Sequence, residues 1–243
     1  SGFGSGAAGG APRPEVTDAP DQSGILLHFR ADIGITLNSG DVSSWEDQGT
    51  GGHDLTQGTA GRQPAFSAAG GPNGTEAVVF SGVTGGDGDM QNTSWSHANP
   101  VHYFAVFKFT GWNDGGPVFS GTASHTLIQE PTGGGTSDIH TSMTATPGLL
   151  TATGNNIPLL NTWILYSFYY SDSYNSGSLN NATPDSNTDD FGPAAKLSMA
   201  CNTSGTGAKS PFNIAEFLAY DEQKTSSDLT AIKNYFNDQY KIF

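Results

Sequence analysis

The feature that most constrains the fold is a series of short runs rich in β-branched and aromatic residues, each bounded by Gly, Pro, Asn, Asp or Ser. No amphipathic helix separates consecutive runs, which argues against parallel βαβ units. Several runs are apolar on both faces, as expected for strands inside a two-layer sandwich. The sequence therefore predicts an all-β fold of two antiparallel sheets. The clearest runs are ILLHF (25–29), EAVVF (76–80), HYFAVFKF (102–109), PVFS (117–120), HTLIQE (125–130), WILYSFYY (163–170), KLSMAC (196–201) and FNIAEFLAY (212–220).

Only the C-terminal stretch has helical periodicity, because its apolar residues recur at the spacing of one helix face. Thr225 can cap the first turn, and Asp228 follows three residues later in a capping-box position. We therefore predict one α-helix over about residues 226–241 that packs an aromatic stripe on the sandwich. The stripe comprises Leu229, Ile232, Tyr235, Phe236 and Tyr240.

The first 21 residues differ in composition from the rest of the chain. Residues 1–21, SGFGSGAAGGAPRPEVTDAPD, are rich in Gly, Ala and Pro and contain almost nothing to bury. We predict an extended, flexible or docking arm over 1–21 and one sandwich domain over 22–243. A Gly-rich arm of this kind is ordered when a neighbour holds it, so we expect it to contact a partner in an assembly and the chain to form a homo-oligomer.

The charge balance excludes several partners. The chain carries a net charge of −14, with 23 acidic residues against 9 Lys and Arg. Such a chain repels phosphate backbones and anionic membrane surfaces, so we expect no nucleic-acid partner. No apolar run approaches 18 residues, and we expect no membrane insertion. Cys201 is the single cysteine, which excludes an intrachain disulfide.

Both ends of the predicted domain resemble a known family. The stretch HFRADIGITLNSGDVSSWEDQGTGGHDLTQGTAGRQPAF, followed by NGTEAVVFSG, resembles the opening of the concanavalin A-like lectin/glucanase superfamily in its LamG-like branch, and FNIAEFLAYDEQKTSSDLTAIKNYFNDQYKI resembles its closing strand and helix. This resemblance implies a jelly-roll sandwich. One departure is Gly49-Thr50, where the family usually has Ser-Gly, so the turn there can differ locally. The matched opening positions are Leu27, Phe29, Ala31, Asp32, Val42, Ser43, Trp45, Asp47, Gln48, Gln63, Pro64, Asn73, Gly74, Ala77, Val78, Phe80 and Gly82.

The resemblance also raises the question of whether this chain carries a catalytic pair of carboxylates. Related glucanases use a Glu-x-Asp-x-x-Glu strand, which places two carboxylates on one sheet face for a retaining mechanism. This sequence has no such motif. Glu216 is its best strand carboxylate, but positions 214 and 218 carry no second one, and we expect Glu216 to accept hydrogen bonds from a nearby loop. We therefore predict no catalytic residue and no enzymatic activity.

Metal and cofactor signals are weak. The His residues show no His-x-His or His-Glu-x-x-His spacing, and no phosphate or dinucleotide glycine fingerprint occurs. The loop GGDGDM offers Asp87 and Asp89 as oxygen ligands of the kind Ca²⁺ takes. Because Asp-Gly loops are commonly plain turns, we expect no cofactor and leave Ca²⁺ as an open alternative.

Aromatic residues in loop-like surroundings suggest a sugar site. Glycan binding on a sandwich needs an exposed aromatic platform beside amide or carboxylate acceptors, and packing at a sheet edge is the alternative role for the same residues. The candidate glycan-binding residues are Trp95, Trp112, Asn113, Asp114, Tyr174 and Asn175.

The stretch VSSWEDQGTGGHDLTQ looks like a site, because it combines a tryptophan, carboxylates, a histidine and glycines. We interpret it as a structural signature. Trp45 is expected to be a buried anchor, and Asp47 is expected to accept backbone N–H groups across the Gly49–Gly52 turn.

These observations predict a non-enzymatic structural or adhesion protein. We expect a bacteriophage virion component, such as a capsid decoration, head or tail fibre, which contacts other virion proteins through its arm and binds cell-surface glycans. The alternative is a secreted, extracellular carbohydrate-binding module of a larger bacterial protein. A third reading, a hydrolase that uses Glu216, stays open.

Overall fold

A computed structural model of the chain describes residues 23–82, 88–111, 113, 116–122, 126–132, 136–142, 150–151, 160–187, 194–201 and 210–243. The predicted arm, residues 1–21, lies outside this range. Two short 3₁₀ helices, Ala60–Arg62 and Pro72–Gly74, and one α-helix, α1 (Ser226–Tyr240), accompany the strands. The strands are β1 (Ile25–Arg30), β2 (Ile35–Asn38), β3 (Asp41–Trp45), β4 (Leu55–Thr56), β5 (Ala65–Ser67), β6 (Ala77–Ser81), β7 (Met90–His97), β8 (Val101–Phe109), β9 (Pro117–Thr122), β10 (Thr126–Thr132), β11 (Thr136–Ser142), β12 (Leu150–Thr151), β13 (Ile164–Tyr170), β14 (Asn175–Leu179), β15 (Asp185–Asn187), β16 (Ala194–Met199) and β17 (Pro211–Tyr220).

The strands form a curled antiparallel sheet with two layers. In the first layer β17 pairs with β1 and β6 on one side and with β8 on the other, followed by β13, β14 and β15. The second layer runs in the order β2, β3, β4, β7, β16, β9, β10, β11 and β12. Strand β5 joins the layers because it pairs with both β3 and β6. The predicted all-β sandwich with one C-terminal helix is confirmed.

The main core lies between the two layers. In β8 the alternate residues Tyr103, Ala105 and Phe107 contribute to it, while Phe104 and Val106 point to the opposite face. That opposite face is covered by α1, whose Ile232, Tyr235, Phe236 and Tyr240 form a second apolar cluster with it. The central strands are therefore apolar on both faces because a helix covers the outside of the first layer, and not only because two sheets pack together.

The helix begins where the sequence signals predict. Thr225 is the N-cap, and its Oγ1 accepts the Asp228 N–H at 3.3 Å, while Asp228 Oδ2 accepts the Thr225 N–H at 3.1 Å. Lys241 ends the helix in the left-handed conformation, with φ of 51°. Among the residues that the structure describes, no helix has the length and apolar character needed to cross a bilayer.

Candidate functional site

Tyr174 lies at the tip of a turn, and hydrogen bonds from side chains of the same turn stabilise its conformation. The turn joins β13 to β14, and Ser171 Oγ accepts the Tyr174 N–H at 2.9 Å and donates to the Tyr174 carbonyl at 2.6 Å. Asn175 Oδ1 accepts the Ser171 N–H at 3.3 Å. These bonds fix the backbone on both sides of Tyr174, whose side chain remains 39% exposed.

A second turn lies beside the first. Strand β8 pairs with β13 so that Val101 faces Tyr170, and this register brings the β7–β8 turn next to the β13–β14 turn. Asn99 Nδ2 donates to Asp172 Oδ1 at 2.8 Å and ties the two turns together. Asp172 is exposed, so its carboxylate remains within reach of solvent.

Aromatic rings support Tyr174 from below. Its ring centroid lies 6.2 Å from that of Tyr169, which in turn meets His102 edge-on at 5.6 Å. His102 stacks on Phe104 at 4.5 Å, and its Nδ1 lies 3.3 Å from the Lys224 N–H. Burial, followed by the charges of Lys224 and Lys233, lowers the pKa of His102 to about 3. The imidazole is therefore neutral at physiological pH and acts here as a packing group.

We call this group the Tyr174 corner: Tyr174, Asp172, Asn99, Tyr169 and His102. It offers one exposed aromatic ring and, two residues away on the same turn, one exposed carboxylate. Such a combination suits a sugar, because the C–H face of the sugar packs on the ring while its hydroxyls donate to the carboxylate oxygens. The sequence identified Tyr174 as a glycan-binding candidate but not Asn99 or Asp172, which lie 73 positions apart and meet only through the β8–β13 register.

The other predicted glycan-binding residues do not join the Tyr174 corner. Trp95 is 2% exposed and lies in the main core, so it has no open ring face. It was placed in a loop because β7 is too polar to be recognised as a strand. Asn175 is fully buried and serves the turn, and Asn113 is half-buried with its carbonyl accepting the Gly116 N–H at 3.0 Å. Trp112 and Asp114 lie outside the described residues.

The predicted calcium ligands are only partly described. Asp87 lies outside the described residues. Asp89 is fully buried and accepts Arg62 Nε at 2.9 Å, Arg62 Nη2 at 2.6 Å and Gln57 Nε2 at 2.8 Å, so it serves as an internal ion-pair partner. Within the described part of the chain, no group of three or more His, Cys, Asp or Glu residues is arranged to hold a metal ion. Calcium binding stays a prediction.

The tryptophan turn is organised around one carboxylate. Asp47 Oδ1 accepts the N–H groups of His28 and Gly49, both at 2.8 Å, and Oδ2 accepts that of His53 at 3.0 Å. Trp45 is fully buried, packs on Phe29 with ring centroids 5.5 Å apart, and donates its indole N–H to the Arg30 carbonyl at 2.8 Å. The turn is internal, and its polar atoms are used in holding the chain.

Glu216 is also an internal hydrogen-bond acceptor, although its partners differ from those expected. Its Oε1 lies 2.8 Å from His28 Nε2 and accepts the Tyr235 hydroxyl at 2.9 Å, and its Oε2 accepts the Tyr240 hydroxyl at 2.8 Å. The partners lie on a strand and on α1 rather than in a loop. Glu216 is fully buried between the first layer and the helix, which leaves no room for a substrate. We call these four residues the Glu216 network.

Comparisons with known proteins find similarity in fold but not in sequence. No family model matches the sequence, and no curated protein matches it significantly. Domain 4 of a GH43 extracellular arabinanase from Geobacillus stearothermophilus, in complex with arabinotriose, is similar at 18% identity and a TM-score of 0.57, over 86% of this chain and 98% of that one.

Two longer solved structures are similar over parts of their length. An arabinofuranosidase complexed with arabinofuranosyl-α-1,2-xylobiose matches at 11% identity with a TM-score of 0.61, over 82% of this chain and 51% of that chain. A sialidase of Trypanosoma rangeli with sialic acid matches at 14% identity with a TM-score of 0.58, over 90% of this chain and 34% of that chain. The chain therefore spans about half of the first protein and a third of the second.

These neighbours correct the expected function. A non-enzymatic virion component was predicted, but the similar structures are an arabinofuranosidase, an arabinanase domain and a sialidase. The prediction of a structural protein without enzymatic activity is therefore wrong, and the phage and virion assignments have no support. At identities of 11% to 18% the likeness itself establishes the β-sandwich fold.

Proposed function

We propose that this chain is the glycan-binding β-sandwich domain of a carbohydrate-active enzyme. The observation that carries the proposal is the likeness to an arabinanase domain with bound arabinotriose, which extends over 98% of that domain. The chain thus corresponds to a complete ligand-binding unit of that protein and to a part of the other two. The activity of the whole protein, glycoside hydrolysis, belongs to the same proposal.

The Tyr174 corner is the place where we propose that the glycan binds. Tyr174 supplies a ring that is 39% exposed, and the exposed Asp172, which Asn99 Nδ2 holds in place, supplies carboxylate oxygens on the same turn. The bonds of Ser171 fix the backbone of Tyr174 and the ring contacts Tyr169, so little conformational freedom is lost when a sugar stacks on it. Preorganisation of this kind favours binding.

Replacing Tyr174 tests the location of the site. We expect Tyr174→Ala to weaken the binding of arabinotriose by about tenfold, as for removal of a central aromatic anchor. Isothermal titration calorimetry measures the affinity. Leu37→Ala is the matched control, because Leu37 is 46% exposed and lies on β2 in the second layer. If Tyr174→Ala binds arabinotriose as tightly as wild type, the binding site lies elsewhere. If the wild-type protein binds neither arabinotriose nor any glycan of an array, the proposed glycan-binding function is wrong.

Hydrolysis is assayed separately from binding. Release of nitrophenol from 4-nitrophenyl α-L-arabinofuranoside, and of reducing ends from arabinan, reports turnover by this chain itself. Because Glu216 is buried and bonded through both oxygens, we expect Glu216→Gln to alter stability and not to abolish turnover selectively. A stable Glu216→Gln protein without turnover would restore the catalytic reading of Glu216.

A second part of this proposal concerns the family to which the sandwich belongs. We propose that the sandwich belongs to the concanavalin A-like superfamily and to its LamG-like branch. The internal roles of Trp45, Asp47 and Glu216 support this, since these are positions at which the sequence matches the family pattern. A crystal structure superposed on a LamG-like domain, strand by strand, tests it. The expected homo-oligomer and the expected location of the protein stay predictions of the sequence.

A further inference from the structure

A side chain from the turn between β5 and β6 holds the C-terminal end of α1. Asn73, in the 3₁₀ helix Pro72–Gly74, donates its amide Nδ2–H to the Tyr240 carbonyl at 2.6 Å, across 167 positions of the chain. The Tyr240 carbonyl is one of the last four of the helix, which have no partner within it. Asn73 therefore supplies an external C-terminal cap for α1, at the opposite end from the Thr225 cap.

The same asparagine forms the single Asn-Gly dipeptide of the sequence. In such a pair the backbone nitrogen of the glycine can attack the side-chain amide carbon, because glycine has no Cβ to obstruct the approach. Asn73 and Gly74 are both exposed, and an atom placed at the Cβ position of Gly74 would meet no heavy atom within 4 Å. The turn therefore has room for water and for a ring-closed product.

The folded turn slows this reaction in two ways. Asn73 has φ of 53° and ψ of 30°, which turns the Gly74 nitrogen away from the Asn73 side chain. The amide nitrogen of Asn73, which is the leaving group, is bonded to the Tyr240 carbonyl. Ring closure thus requires the turn and the end of α1 to open together, so its rate reports the population of that local opening.

We propose that Asn73 is a site of spontaneous deamidation that releases the C-terminal end of α1. The Gly74 nitrogen loses its proton and forms a bond to Asn73 Cγ, while the bond from Cγ to Nδ2 breaks and ammonia leaves with that proton, which gives a succinimide. One water molecule then opens the ring at either carbonyl, so the products are aspartate and isoaspartate. Once ionised, neither product donates to the Tyr240 carbonyl, and each adds a negative charge at the negative end of the helix dipole.

Peptide mapping of the intact chain after incubation tests the modification. Mass spectrometry follows the replacement of the amide by a carboxylic acid, and a methyltransferase specific for isoaspartate identifies the second product. We expect the rate at Asn73 to rise from mildly acidic to mildly alkaline pH, because the attacking nitrogen must lose its proton. Asn38 is the matched comparison, since it is exposed at the end of β2 but precedes Ser39, and we expect it to react severalfold more slowly. In guanidinium chloride, where the bond to Tyr240 is lost, Asn73 is expected to react severalfold faster than in the folded protein.

Amide hydrogen exchange tests the release of the helix. Asn73→Asp is a homogeneous form of the aspartate product, and we expect exchange in residues 237–241 to become about three- to tenfold faster, as for loss of one hydrogen bond. Incubated wild type is expected to acquire the same change in proportion to its deamidated fraction. Asn38→Asp is the control, because it adds the same charge on β2 in the second layer, away from α1.

Each outcome decides one part of the proposal. Equal rates at Asn73 and Asn38 overturn the assignment of the site, and equal rates in folded and unfolded protein overturn protection by the bond to Tyr240. Unchanged exchange in Asn73→Asp, or the same increase in Asn38→Asp, overturns the release of α1. None of these measurements involves a glycan, so their failure leaves the proposed function intact.

Discussion

At the scale of single residues, buried polar groups stabilise the fold at positions whose sequence resembles a functional site. Asp47 is 6% exposed and accepts three backbone N–H groups, which come from β1 and from the turn that follows β3. A charged acceptor at such a point stabilises a turn more than a neutral one, because bonds to ionised groups are stronger. Because the same carboxylate is buried and bonded through both oxygens, it is not presented to a ligand.

Removing the Asp47 carboxylate is expected to destabilise the fold. We expect Asp47→Ala to lower the free energy of unfolding by about 2–3 kcal/mol, since it leaves buried donors unpaired, and to leave arabinotriose affinity unchanged. Urea unfolding measures the first quantity and calorimetry the second. Glu46→Ala is the matched control, because Glu46 is exposed and adjacent in sequence. Intact stability combined with lost binding would make Asp47 a ligand-binding residue.

His102 makes stability depend on pH. Its pKa in the folded protein is about 3, lowered by burial and then by Lys224 and Lys233, so the unfolded chain binds a proton first as pH falls below the ordinary value of 6.5. Its contribution is therefore complete above pH 6.5 and is lost progressively toward pH 3. Between pH 7 and pH 5 we expect wild type to lose about 2 kcal/mol more unfolding free energy than His102→Gln, measured with urea. Parallel pH profiles would show that His102 is not the responsible group.

At the scale of elements, α1 is held to the first layer by both apolar packing and the Glu216 network. Tyr235 and Tyr240 place their rings in the second apolar cluster and their hydroxyls on the two oxygens of Glu216. The pKa of Tyr235 is raised by burial and by the nearby charge of Glu216, so its hydroxyl stays protonated and donates. A bond of this kind orients the helix, whereas apolar contact alone would permit sliding.

Glu216→Gln tests this attachment. The amide keeps the volume of the side chain but replaces one acceptor oxygen by a donor, so one hydroxyl or imidazole partner loses its bond. We expect a loss of about 1–3 kcal/mol in unfolding free energy and faster amide hydrogen exchange throughout α1. The exposed Glu46→Gln serves as control. Unchanged exchange in α1 would mean that packing alone holds the helix.

At the scale of the whole molecule, the curled sheet places one helix against the outer face of its first layer. The Tyr174 corner lies near the start of β8, at one end of this layer.

Much of the architecture follows from local sequence signals. The apolar runs predict β1, β6, β8, β13 and β17 to within a residue or two, and the helix and its cap follow from spacing within a few turns. Strand β7 escaped recognition because its segment MQNTSWSH is mostly polar, and that omission put Trp95 in a loop when it lies in the core. Strands paired through backbone bonds do not need apolar side chains, so a polar strand leaves little trace in the sequence.

Local pattern thus determined the fold class, the capped helix and the internal nature of the Trp45 turn, because these depend on residues close together along the chain. Only the tertiary structure decided what Glu216 and Asp172 contact, since His28 lies 188 positions from Glu216 and Asn99 lies 73 positions from Asp172. Such contacts arise from the register between strands that are distant in sequence, which no local pattern encodes. The expectation of a virion protein likewise came from the sequence, and it was overturned only when the assembled fold could be compared with solved structures.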